Sequence, residues 1–231
     1  MDQKNDLYDV DLKDCIDENL NYHYMEEGPL KNKFDNYTYN SIPYLKNCKN
    51  ILDVGCGYGG PSDFLLYHHY NMFCITNSQS QYDVVSKKHK CFQVDACEFT
   101  SKRKYDIAVF FDSMCHMDAK TVINNISQYT NRMFIKDYTF LSGDYYYSKR
   151  WNMHFRSQSN WEWLFSQAGF EIKHFEINEK VLVEESHSFW NKQVKNSTST
   201  HRQIEMLKTI SKSKQLKEGK AHCLLYAERI T

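Results

Sequence analysis

The chain carries no net charge: Lys and Arg number 29, and Asp and Glu number 29. A standing polyanion-binding surface needs an excess of cations, because nucleic-acid affinity rests on phosphate neutralisation. The balance argues against nucleic acid as a partner. The lysine-rich stretch Lys208, Lys212, Lys214, Lys217 and Lys220 reads more economically as a solvated helix face. The N-terminus, Met1-Asp2-Gln3-Lys4-Asn5-Asp6, lacks the apolar core of a signal peptide. No apolar run approaches the length of a membrane span. No two of the 8 cysteines stand in C-x-x-C spacing. Cys91, Cys97, Cys115 and His116 match no zinc spacing, so no metal site is expected. Cys56, Cys74 and Cys91 fall in or beside strand-like runs, where a free thiol behaves as a small apolar residue. These absences lead to the expectation of a reduced, cytoplasmic protein. Asn-x-Ser/Thr sequons at Asn36, Asn125 and Asn196 are read as chance, and no internal repeat is visible.

What is present is an alternation of short apolar runs and helical patterns. The 231 residues suffice for one α/β domain with a full core. Strands are expected near 50–54, 72–76, 91–94, 105–111, 132–137, 170–177 and 222–228. Helical patterns at 61–70, 78–89, 119–130 and 161–168 lie between them, with Ser78 and Asp118 as N-caps and Gly169 as a C-terminal stop. The 105–111 run is almost wholly apolar, as a strand buried on both faces should be. The pattern predicts a Rossmann-like α/β fold: a seven-stranded, mostly parallel sheet with helices on both faces. Residues 1–45 precede it as an N-terminal helical cover, and 46–231 form the domain proper. Residues 178–221 are inserted before the last strand, where a hairpin would need only a few residues. The spacing of Ile204, Leu207 and Ile210 favours an ordered helical lid there.

The most informative stretch is Ile51-Leu52-Asp53-Val54-Gly55-Cys56-Gly57-Tyr58-Gly59-Gly60. A glycine-rich turn follows an apolar run, and Pro61 suits the first position of a helix, where its missing N–H costs nothing. Gly55 and Gly57 permit a tight turn, and Gly59 and Gly60 allow close approach of a ligand to the backbone. Strand, glycine turn and helix N-terminus make a nucleotide-binding crevice. Gly55, Gly57 and Gly60 also satisfy the G-x-G-x-x-G dinucleotide pattern, a weak signal alone. A dinucleotide site wants an acid about 20 residues later, at the end of the second strand. That strand ends in Asn77-Ser78, and the acid sits inside the first motif at Asp53. The string resembles motif I of the class I S-adenosylmethionine (SAM) methyltransferases, Asp-x-Gly-x-Gly-x-Gly. The resemblance implies SAM as cofactor, held by Asp53, Gly55, Cys56 and Gly57. A dinucleotide or a purely structural glycine turn are the competing readings.

The resemblance continues beyond motif I. Ile75-Thr76-Asn77-Ser78-Gln79-Ser80-Gln81 is similar to the Ile-Thr-x-Ser-x-x-Gln segment of one methyltransferase subgroup. The subgroup includes cyclopropane fatty-acid synthases and the tocopherol, coclaurine N- and geranyl diphosphate C-methyltransferases. There the segment holds the SAM ribose, which assigns Thr76, Asn77, Ser78 and Gln81 to the cofactor. A plain helix cap is the alternative for Ser78. Asp95-Ala96-Cys97 closes the third strand at the edge where ligands bind, and the family pattern puts the adenine there. An ordinary loop aspartate is the alternative. Phe111-Asp112-Ser113-Met114-Cys115-His116-Met117 resembles the Glu-Ser-x-x-His-Met stretch of the tocopherol type, with Asp in place of Glu. Phe111 is then expected on the cofactor side. Asp112 should lie beside the methyl donor, to position the acceptor or stabilise positive charge. His116 is the general-base candidate, since an ordinary imidazole titrates near neutrality. A structural histidine competes with that reading. Tyr22-His23-Tyr24 resembles the His/Tyr-rich segment that covers the active site in the geranyl diphosphate type. Tyr22, Tyr24 and Trp190 are candidate acceptor contacts, with packing onto the core as the alternative.

These residues lead to the expectation of SAM-dependent methyl transfer to a small molecule, by C- or N-methylation of a prenyl, aromatic or amine metabolite. In-line displacement at a sulfonium asks mainly for positioning and exclusion of water. The 17 Tyr, 14 Phe and 4 Trp offer walls for such a pocket. An RNA or protein methyltransferase is the first rival. Against it stand the zero charge and the lack of an Asn-Pro-Pro-Tyr motif after the fourth strand. A non-catalytic SAM-binding subunit is the second, and Asp112 with His116 counts against it. A homodimer stays open.

Overall fold

Five apolar runs form the parallel part of the sheet: β1 (Asn50–Val54), β2 (Asn71–Thr76), β3 (Lys90–Gln93), β4 (Ile107–Phe111) and β5 (Arg132–Phe140). Their order is β3-β2-β1-β4-β5. The computed structural model describes residues 24–149, 152–182, 184–186, 188–189, 192 and 219–230. Tyr22, Trp151, Trp190 and the lid helix expected around 204–210 lie outside the described residues, as does the cover before residue 24.

After β5 the direction reverses. β9 (Lys220–Arg229) runs antiparallel beside β5 from Arg132↔Glu228 to Phe140↔Lys220, and β8 (Phe170–Ile177) runs antiparallel beside β9. These seven strands form the expected mostly parallel sheet. A hairpin adds two more: β6 (Tyr145–Ser148) pairs with β7 (Met153–Arg156), which joins β5 at Thr139↔Arg156. This hairpin departs from the seven strands expected. Tyr145, Tyr146 and Tyr147 are all exposed, so the segment lacks the alternation that marks a half-buried strand.

Successive side chains leave opposite faces of each strand, so one sheet serves two cores. Leu52, Val54, Phe73, Ile75, Ala108, Phe110, Ile135 and Leu225 pack on one face, against α4 (Ala119–Ile126) and α5 (Gln158–Gln167). Ile51, Cys74, Val109, Phe111, Phe134 and Leu224 pack on the other, against α1 (Lys33–Tyr39) and α2 (Gly60–Tyr67). The remaining helix, α3 (Gln79–Val85), flanks β2 and β3. The helix starts read from the sequence carry their caps: Ser78 Oγ accepts from Gln81 N at 3.3 Å, and Asp118 Oδ1 from Thr121 N at 3.4 Å.

The chain turns from β1 towards β2 and β3 on one side, then crosses to β4 and β5 on the other. That reversal opens a crevice at the carboxyl ends of β1 and β4. The segment from Tyr24 to Leu45 packs across β5 and β9 beside it, with Tyr24, Phe34, Tyr37 and Leu45 buried in the second core. A buried ion pair ties this segment down. The Lys136 ammonium, on β5, donates to the Glu26 carboxylate and to the Tyr37 carbonyl (2.7 Å), and it lies 4.0 Å from the Tyr37 ring centroid. Glu26 also accepts from Asn40 Nδ2 at 2.5 Å and Asn178 Nδ2 at 3.3 Å. Burial pulls the Lys136 ammonium below its ordinary range, while Glu26 pulls the other way.

Removing one member of a fully buried pair leaves a charge with no compensation, at a cost of about 3–5 kcal/mol. Glu26→Gln is therefore expected to lower unfolding stability by about that amount in urea. Glu26→Leu combined with Lys136→Met should recover most of the loss. A double variant no more stable than Glu26→Gln would show that the pair is not the fastening.

Candidate active site

The glycine turn hangs from the neighbouring strand. Gly55 N and Cys56 N both donate to the Ile75 carbonyl, at 2.9 and 3.0 Å. Gly57 has φ +55°, and a Cβ placed there would meet nothing within 4 Å. The backbone at this point borders open space, which is what close approach of a ligand requires. Gly55 differs: a Cβ there would stand 2.7 Å from both Ser113 Cβ and Met117 Cε, so its glycine serves packing against the turn after β4.

Asp53 lies beneath the turn and is buried. Its Oδ2 accepts from Ser62 Oγ at 2.6 Å, and its Oδ1 is shut off from solvent with no hydrogen-bond partner among the described residues. Burial pushes its carboxyl up to about 6, against the Ser62 hydrogen bond and His89, which both pull it down. The Cys56 thiol packs against Cys74 and Cys91 behind the turn.

At the end of β2, Thr76 Oγ1 donates to Gln81 Oε1 at 2.6 Å and accepts from Ser78 N at 3.1 Å. These polar side chains brace the turn into α3, and Asn77 is exposed at the strand end. After β3, Asp95 is exposed and its Oδ1 accepts from Cys97 N at 2.8 Å. Ala96 is buried, and Asn125 of α4 holds this loop by donating to the Ala96 and Phe99 carbonyls, each at 2.9 Å. The carboxyl edge of the sheet thus carries the glycine turn, the Thr76–Gln81 turn and the Asp95 loop in a row across β1, β2 and β3.

Phe111 is buried at the end of β4. Asp112 follows with φ +48°, a left-handed conformation unfavourable for a residue with a Cβ. Its N–H donates to the Lys136 carbonyl at 2.8 Å, and Ser113 Oγ donates to the Val54 carbonyl at 2.7 Å. Asp112 is thereby set beside the glycine turn. Tyr37 OH, from α1, donates to Asp112 Oδ1 at 2.6 Å. His222 Nδ1, from β9, lies 4.0 Å from the same oxygen. Asp112 Oδ2 is out of solvent and takes no hydrogen bond among the described residues. Burial and then the Asp137 carboxylate push Asp112 well above the ordinary carboxylate range, while Tyr37 and Lys136 pull it down. Burial and Asp112 also raise Tyr37, which keeps its proton and donates.

His116 does not meet Asp112 in any hydrogen bond or ion pair described. Its Nδ1 lies 3.2 Å from the Asn152 carbonyl, and burial lowers the imidazole to about 4. Tyr24 is buried and packs its ring 4.5 Å from that of His222, which stacks at 4.5 Å on Tyr138. Tyr37, Tyr138 and His222 are absent from the residues that the sequence marks. No motif singles them out, since Tyr37 and His222 approach Asp112, and Tyr138 packs on His222, from three separate elements. No group of three His, Cys, Asp or Glu side chains among the described residues is placed to hold a metal ion. No helix among them is long and apolar enough to cross a membrane.

The residues present fit a SAM-type ligand on two counts: the bare Gly57 backbone with space before it, and the orphaned buried oxygen of Asp53. Residues 23–174 match the methyltransferase-domain family, and the chain belongs to that family. By sequence, no curated protein matches it. By structure it is similar to the [4+2]-cyclase SpnF, with TM-score 0.81 at 15% identity, over 98% of this chain and 95% of that one. It is similar to the cyclopropane synthase MmaA2 from Mycobacterium tuberculosis, with TM-score 0.80 at 12% identity, over 99% of each chain. A third is geranyl diphosphate C-methyltransferase from Streptomyces coelicolor A3(2), solved with Mg2+, geranyl diphosphate and S-adenosyl-L-homocysteine (SAH). Its TM-score is 0.70 at 11% identity, over 98% of this chain and 96% of that one. At such identities the likeness is one of fold. Family, fold and glycine turn together define a SAM-dependent methyltransferase, with SAM as methyl donor.

Two outcomes follow from the turn. Gly57→Val is expected to abolish SAH binding in calorimetry, because its side chain would occupy the open space at the turn. Undiminished affinity would remove the turn from the cofactor site. The second concerns Asp53. An acid with a folded pKa of about 6 and an unfolded value near 4 binds more protons when folded. Its contribution is therefore fully present below pH 4 and is lost as pH rises through 6, by about 3 kcal/mol in all. Asp53→Asn should flatten that part of the stability–pH curve; an unchanged slope would count against a raised Asp53.

Proposed function

We propose that this methyltransferase acts on a small-molecule acceptor, held between the cover segment, the carboxyl ends of β4 and β5 and the amino end of β9. One observation carries the reading. Asp112 is a strained, half-buried carboxylate beside the cofactor turn, fixed through one oxygen by Tyr37, while its other oxygen is out of solvent and takes no hydrogen bond among the described residues. An unmet buried acceptor costs stability, and a left-handed backbone adds to the cost, so both point to a role in binding or chemistry. We assign Asp112 the role of accepting a hydrogen bond, then a proton, from the acceptor. Burial and Asp137 raise its pKa, so it holds a proton more readily than an ordinary carboxylate does. His116, lowered to about 4 and bonded to the Asn152 carbonyl, is a weak base, so the role read for it from the sequence passes to Asp112.

SAM supplies an electrophilic methyl group on a sulfonium. The chain's own part is to align the acceptor and exclude water. Tyr24, Tyr37, Tyr138 and Phe111 supply aromatic surface around Asp112 for that purpose. We keep Thr76, Asn77, Ser78, Gln81, Asp95, Ala96 and Cys97 as the adenosine side of the site, and Gly55, Cys56 and Gly57 as the methionine side. Relatives in fold named for small acceptors support the reading. One is a coclaurine N-methyltransferase bound to N-methylheliamine and SAH, and another is the geranyl diphosphate enzyme. Fold alone does not choose the reaction, since SpnF is named a cyclase. The charge balance counts against an RNA acceptor. A cytoplasmic location fits a chain whose described cysteines are all free.

Incubated with radiolabelled SAM and fractionated extract, the protein should pass label to low-mass compounds. Label in RNA or protein alone would overturn the small-molecule reading. With the acceptor in hand, Asp112→Asn should lower turnover roughly 10²–10⁴-fold, as loss of a general base does, with SAH affinity little changed. His116→Ala should cost far less. The reverse ranking would return the base role to His116.

A further inference from the structure

We propose that the acceptor is an amine, recognised as its ammonium form by Asp112 Oδ2 and the tyrosines around it; this rests on the small-molecule reading above. Charge at this place is unmatched. Three carboxylates lie close together under the cover: Glu26, Asp112 and Asp137. Glu26 holds the Lys136 ammonium and two amide groups. Asp137 accepts from two backbone N–H groups, Tyr138 N at 2.7 Å and Cys115 N at 2.9 Å, and Arg156 acts on it from nearby. Among the described residues the Asp112 carboxylate accepts a hydrogen bond from a neutral hydroxyl alone, that of Tyr37. The His222 imidazole stands 4.0 Å from Oδ1, beyond hydrogen-bond length, and faces the oxygen that Tyr37 already occupies. Oδ2 is left for a donor from outside.

A cationic ligand answers this deficit. It would lower the cost of keeping Asp112 ionised, which burial and Asp137 now raise. Aromatic rings complement a cation through their π faces, and Tyr24, Tyr138 and His222 pack in mutual contact there. An anionic acceptor such as a diphosphate or carboxylate would need a cation to receive it. Among the described residues the buried cations are engaged elsewhere. Lys136 is bound to Glu26 and the Tyr37 carbonyl, and Arg156 donates to the carbonyls of His154 and Met117. Lys220 lies over the rings of Tyr146 and Phe155.

The chemistry balances. The ammonium gives one proton to the Asp112 carboxylate, which leaves a neutral amine with its lone pair exposed. That pair forms the new N–C bond as the methyl C–S bond breaks, and the C–S electrons stay on sulfur. SAM loses its positive charge to become SAH, and the product leaves as an N-methylammonium.

Two measurements test this while the acceptor is still unidentified. The first compares, by calorimetry, SAH with sinefungin, the SAM analogue whose ammonium stands where the sulfonium methyl would be. Wild type should prefer sinefungin at least about tenfold, and Asp112→Asn should lose that preference while holding SAH within a few-fold. No binding of SAH to wild type would sink the methyltransferase-site reading itself. SAH binding with no preference for sinefungin would overturn only the charge complementarity. The second offers labelled SAM with panels of aromatic and aliphatic primary and secondary amines, phenols and prenyl diphosphates. Label is expected in amines. Transfer to phenols or diphosphates without amines, or to none of the three, overturns the assignment.

Discussion

A lysine that cannot reach water organises this molecule. Lys136 sits in the middle of the sheet, and its ammonium finds its main compensation by drawing the Glu26 carboxylate down from the cover segment. The same ammonium holds the Tyr37 carbonyl and lies against the Tyr37 ring. Those contacts fix the height of α1 over β5, which brings the Tyr37 hydroxyl within 2.6 Å of Asp112. The Lys136 carbonyl then receives the Asp112 N–H and sets the bend at the end of β4. The Tyr24–Leu45 segment and the Asp112 turn therefore share one fastening, and loss of it would disturb both.

The centre is built against its own comfort. A left-handed aspartate, a carboxylate oxygen with no hydrogen bond among the described residues and two carboxylates nearby all cost stability. The surrounding sheet overdetermines the arrangement, since the apolar contacts of β4 and β5 leave little freedom to relieve it. On the proposed reading, that cost sets a proton acceptor of raised pKa beside the methyl donor. Asp53 repeats the theme beneath the glycine turn, buried with one oxygen that takes no hydrogen bond among the described residues. Both acids come directly from strand ends at the switch in strand order, where a ligand can meet the sheet edge without displacing the core.

Features of short range were legible in the residues. The glycine turn between β1 and α2, the caps at Ser78 and Asp118 and the apolar run of β4 each depend on neighbours within a turn or a strand, and each stands where its pattern put it. Ends were less legible. The helix expected to run to residue 89 stops at Val85, and β5 extends to Phe140 rather than 137 because β9 pairs along its whole length. The hairpin of β6 and β7 was not legible at all. Its tyrosines are exposed, and it is stabilised by joining an edge of β5 that no local pattern announces.

The residues by themselves determined the class of fold, the parallel core and the family, because strand periodicity and a glycine turn are written over a few consecutive positions. Only the tertiary structure decided who stands around Asp112. Tyr37 is 75 residues from it in the chain, and Glu26 is 110 residues from Lys136. His222 arrives on the last strand of the sheet. His116, four residues from Asp112 and the natural partner by spacing, is turned to the Asn152 carbonyl instead. Proximity along the chain is no guide once the backbone bends at a positive φ. The charge state of a carboxylate is set by what burial removes and by what distant segments bring.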